Sequence, residues 1–137
     1  SLHDALPIYS LMNTSLTILQ LKMNYIKLNN MTVPEKWLVI VIENPEAEEP
    51  MHRVVHKVFA SWDDSWKMNS GIDRIMEDDK SVDFYGYSGS HYSCNKRSYG
   101  VSTSYAQNVL DNIIKKANDK GIAMRVLSED TDWMELA

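Results

Sequence analysis

The stretch Lys36–Glu43, "KWLVIVIE", constrains the fold most. Residues 37–42 are all apolar, and Val39, Ile40, Val41 and Ile42 are β-branched. Such side chains are stiff at χ1 and favour extended backbone. A strand with one wet face alternates apolar and polar residues. This run does not alternate, so both its faces must be covered. It predicts a central strand in a layered fold, and it is far shorter than the roughly 20 residues that span a bilayer.

Further strands follow at regular spacing. Residues 52–62, "HRVVHKVFASW", are β-branched and aromatic, and Asp63-Asp64-Ser65 makes the turn after them. Residues 66–76 predict a strand interrupted at Asn69-Ser70-Gly71, where glycine suggests a bulge or bend. Val82 and Phe84 alternate with Asp83 and Tyr85, the pattern of a half-buried strand. Ser88-Gly89-Ser90 is a tight turn, and residues 91–97 form the return strand. After Gly100 the period changes. Ala106, Val109, Leu110, Ile113, Ile114 and Ala117 recur at three- and four-residue steps, one apolar face of a helix. Ser102, Thr103 and Ser104 are competent N-caps, and Gly121 is the expected stop. Residues 122–127 read as a last strand, and Trp133 as the docking residue of an acidic tail. The fold class is therefore α+β: an antiparallel meander of five or six strands, one C-terminal amphipathic helix, then a final strand.

Net charge is −5, which argues against a general nucleic-acid-coating surface. One cysteine, Cys94, cannot form an intrachain disulfide and fits a reducing, cytoplasmic setting. No motif calls for a cofactor, and no membrane partner is expected.

Two strings carry resemblances. The opening "SLHDALPI" resembles a translated sequencing adapter, so residues 1–30 are expected to be a non-native or disordered extension, with Met23 or Met31 as the true start. Residues 31–137 then form a single α+β domain. The strings "SWKMNSGI" (65–72) and "YGYSGSHYSCNKRSYG" (85–100) resemble small uncharacterised phage and prophage proteins. That resemblance implies an accessory factor acting on a bacterial host, in some cases on host defence, and implies no catalytic residue.

The second string is also chemically distinct. No Asp or Glu falls between Asp83 and Asp111, and five of the seven tyrosines do. Tyrosine, serine and glycine together suit recognition surfaces. Glycine turns and a helix beginning near Ser104 offer N–H groups to an anion. The candidate ligand-binding residues are Tyr85, Tyr87, Ser88, Ser90, His91, Lys96, Arg97 and Tyr99. Lys96 and Arg97 alternate on the return strand, which leaves Arg97 as the better grip on a phosphate or carboxylate. The function expected is capture of a host protein or of a phosphorylated small molecule or nucleotide. The alternatives are a phosphodiester hydrolase using His91 and a self-associating subunit.

Bland explanations weigh against the remaining clusters. His52 and His56 are ordinary strand histidines rather than metal ligands. His91 and Cys94 fall on opposite faces of a strand, so Cys94 reads as a core thiol. Asp63-Asp64 and Asp78-Asp79 are turn residues, and Trp37, Trp62 and Trp66 are core.

Overall fold

The computed structural model describes residues 31–136 together with Thr17, Ile18, Gln20 and Leu21, and these four are helical. The rest of the expected N-terminal extension lies outside the described residues. The chain divides into two units, Ser1–Met31 and Thr32–Ala137, and the second is described here.

Among the described residues eight strands form two four-stranded sheets. In the first, β1 (Met31–Thr32), β7 (His91–Asn95), β6 (Ser81–Gly86) and β5 (Ile72–Glu77) lie in that order. In the second the order is β4 (Ser65–Met68), β3 (Val54–Trp62), β2 (Lys36–Glu43) and β8 (Ala123–Val126). The architecture is α+β, but the single meander of five or six strands gives way to these two sheets.

Strand β2 is buried on both faces, as its composition requires. Trp37 and Val39, with Val58 and Ala60 of β3, pack against Ile75, Val82, Phe84, Tyr92 and Cys94 of the first sheet. On the opposite face Leu38, Ile40 and Phe59 pack against Leu110 of the helix α1 (Ser104–Asp119). The result is three layers: sheet, sheet, helix. Each fully buried Leu, Ile or Phe contributes about 1.5–3 kcal/mol, so this doubly covered strand anchors both cores.

The break at residues 69–71 is a crossing between sheets rather than a bulge. Asn69 ends the β3 edge, donating N–H to Val58 O (3.3 Å) and accepting Val58 N–H at its side chain (2.9 Å). Gly71 then turns the chain at φ +142°, where a Cβ would stand 2.8 Å from the Tyr87 ring. Both the backbone angle and the contact call for glycine.

Thr103 is the N-cap of α1, accepting from Ala106 N–H at 3.2 Å. Gly121, at φ +82°, stops the helix. The buried face is the expected one, graded in depth. Ala106 and Leu110 are fully buried, whereas Val109, Ile113, Ile114 and Ala117 are only half-buried.

The C-terminal segment returns to the first core. Trp133 is 5% exposed, with its ring centroid 5.3 Å from Trp37 and 6.0 Å from Phe84.

Candidate functional site

The eight candidate residues do not converge; they separate into four places along and after β6 and β7. Tyr85 and His91 are register partners on the outer face of the first sheet. Their rings stack with centroids 4.4 Å apart, and the Arg74 guanidinium carbon lies 4.3 Å from the Tyr85 centroid. His91 Nε2 is 2.8 Å from Asp83 Oδ1. Cys94 lies on the other face of β7, fully buried, and burial pushes its thiol pKa far up. A Cys–His nucleophilic pair is thereby excluded.

Tyr87, Ser88 and Ser90 lie in the β6–β7 hairpin, where four N–H groups are already committed. Gly86 N–H bonds Ser90 O (2.9 Å), Tyr87 N–H bonds Gly71 O (3.0 Å) and Gly89 N–H bonds Gly86 O (3.0 Å). Ser88 N–H donates to Ser70 Oγ (3.1 Å). This turn therefore closes on the 69–71 corner and does not form the anion cradle expected of it. The start of α1 is also occupied, since Thr103 Oγ1 bonds Asp64 Oδ1 at 2.9 Å and places a carboxylate there.

Tyr99 points into the core. Its hydroxyl donates to Leu127 O (2.5 Å) and accepts from Val39 N–H (3.2 Å). Burial raises its pKa, the Val39 N–H bond partly offsets this, and Glu129 adds to the rise.

Lys96 and Arg97 are not on the strand. β7 ends at Asn95, and residues 96–98 form a 3-10 turn. The cause is local: Asn95 Oδ1 accepts from Arg97 N–H at 2.8 Å, a side-chain mimic of a turn. Lys96 N–H bonds Lys80 O (2.9 Å), which joins this turn to the β5–β6 turn. That second turn is held by Asp78, whose Oδ1 accepts from Lys80 N–H and Ser81 N–H, each at 2.8 Å. These backbone bonds chiefly hold the Asp78 carboxyl pKa below its usual range.

The two turns frame an open groove of about 450 Å3 lined by Asp79, Lys80, Asn95, Lys96 and Arg97. Three cations thus face one concavity in a chain where 19 acidic residues outnumber 14 basic ones. Lys80 was not among the expected residues. Its sequence neighbours, Glu77, Asp78 and Asp79, make the turn look acidic. His91 is not part of this groove; at about 3.3 Å per residue it lies roughly 13 Å back along β7 from Asn95.

Among the described residues no group of three or more His, Cys, Asp or Glu is placed to hold a metal ion. Among them, too, no helix is long and apolar enough to cross a membrane. Comparison with protein-family models, with curated proteins and with solved structures returns no match.

Proposed function

We propose that this chain is a small binding protein that captures a phosphate-bearing ligand in the groove between the β5–β6 turn and the turn after β7. The observation that carries this is the convergence of Lys80, Lys96 and Arg97 on one concavity. Lys96 is held near Glu77, with Nζ 3.7 Å from Oε2. Among the described residues Lys80 and Arg97 have no ion-pair partner, so both charges remain available to an anion. Arg97 supplies a planar fork that grips two phosphate oxygens, and the lysines supply point charges. In the phage setting implied by the sequence resemblance, such a protein would act by sequestering a host compound.

Titration calorimetry of the full chain against a phosphate monoester tests this. Arg97→Ala should weaken binding by about 1.5–3 kcal/mol, the worth of a charged hydrogen bond. Its melting temperature should stay unchanged, because the side chain is exposed. Equal affinity in the wild-type and Arg97→Ala chains would refute the groove.

A second reading has its own observation. The Arg74–Tyr85–His91 ladder, with Asp83 on His91 and Met76 54% exposed beside it, is an aromatic face of mixed charge that suits a protein partner. The hydrolase alternative gains no support, because His91 and the groove cations are separated along β7.

A further inference from the structure

Lys96 lines a second cavity besides the groove, and the two cavities are opposite in charge. The second is about 190 Å3, with Trp37, Tyr99 and Trp133 as its aromatic floor. Glu129, Asp130 and Thr131 line it from the C-terminal segment, and Glu77 faces Lys96 within it. Glu77, Glu129 and Asp130 against Lys96 make it anionic, whereas the groove sets Lys80 and Arg97, with the shared Lys96, against Asp79.

Several potential donors of this cavity are already used internally. Trp37 Nε1 donates to Asn95 O (2.6 Å), Tyr99 to Leu127 O (2.5 Å) and Thr131 Oγ1 to Ser128 O (2.6 Å). What remains is mainly acceptor oxygen and aromatic surface. Glu129 and Asp130 have exposed side chains and, among the described residues, no cationic partner. Carboxylates repel a phosphate and attract a cation, while Trp37 and Trp133, 1% and 5% exposed, close the floor of the cavity beneath them. At about 190 Å3 the cavity has room for a cationic head group.

We infer that the ligand is a phosphate–ammonium zwitterion, its phosphate on Lys80, Lys96 and Arg97 and its ammonium group against Glu129 and Asp130, over the aromatic floor of the smaller cavity. This rests on the anion-groove reading given above. Lys96 stands at the junction, shared by both cavities, so one short molecule can occupy both ends. Phosphocholine and phosphoethanolamine are ligands of this class, whether free or as the head group of a lipid.

The test is titration of the full chain at low salt with inorganic phosphate, glycerol 3-phosphate and phosphocholine, and with phosphatidylcholine vesicles. Phosphocholine should bind at least tenfold more tightly than glycerol 3-phosphate, which carries the phosphate without the cation. The exposed pair Glu129→Gln and Asp130→Asn should remove that advantage and leave inorganic phosphate binding intact. Arg97→Ala should weaken every ligand alike. Binding of free phosphocholine points to a soluble ligand; binding on vesicles alone points to a lipid head group; either supports the zwitterion. If phosphocholine binds no better than glycerol 3-phosphate, the ammonium site is refuted and the anion groove survives. If none of the ligands binds, both are refuted.

Discussion

Tyr99 meets Trp37 edge-on, with ring centroids 4.8 Å apart and planes at 87°. That contact joins the segment after β7 to the central strand, and the Tyr99 hydroxyl extends the link to Leu127. A residue expected at a binding surface is thereby built into the core, at the inner wall of the smaller cavity.

Tyr99→Phe should keep the ring contact and remove the hydroxyl. It leaves Leu127 O without its donor and Val39 N–H without an acceptor. The cost should be about 1–3 kcal/mol, the penalty for stranding partly buried polar groups. Urea unfolding followed by tryptophan fluorescence measures it. An unchanged midpoint would mean that water replaces the hydroxyl at no cost.

Leu110→Ala should destabilise more than Ile113→Ala. Leu110 is 0% exposed and packs on Ile40 and Phe59, so its truncation should cost about 2–5 kcal/mol. Ile113 is half-buried and leaves a smaller void. Paired chemical denaturation of the two variants gives the order, and the reverse order would place the helix face differently.

His56 should make the fold acid-sensitive. Burial is the largest cause lowering its pKa from 6.5, Arg125 adds to the effect, and Glu43 opposes it. A depressed histidine favours the neutral form in the folded state. Its contribution to stability is whole above about pH 6.5 and is lost as pH falls through the lower folded value. Melting temperatures between pH 7.5 and 5 should therefore decline, and His56→Gln should flatten part of that decline. Parallel declines in both proteins would assign the effect to other groups.

Local pattern alone was enough for several elements. The unbroken apolar run of β2 could be stable only with both faces covered, and a helix on one side and a sheet on the other cover it. Alternation placed Val82 and Phe84 inward, because a strand sends successive side chains to opposite faces. The three- and four-residue period after Thr103 marked α1, and Gly121 its end. These signals are short-range, carried by neighbours in sequence.

What tertiary structure alone decided depends on distant partners. Asn69-Ser70-Gly71 reads as a bend whether the chain stays in its sheet or leaves it. The choice was made by Val58 on one side and Tyr87 on the other. The turn around Lys80 looks acidic in sequence and becomes part of a basic groove because Lys96 N–H reaches Lys80 O. Tyr99 turns inward because Val39, sixty residues before it, and Leu127, twenty-eight after, satisfy its hydroxyl. A hydrogen bond across such separations is worth about 1 kcal/mol and leaves no periodicity in the sequence. Only the folded chain, which brings those partners together, reveals it.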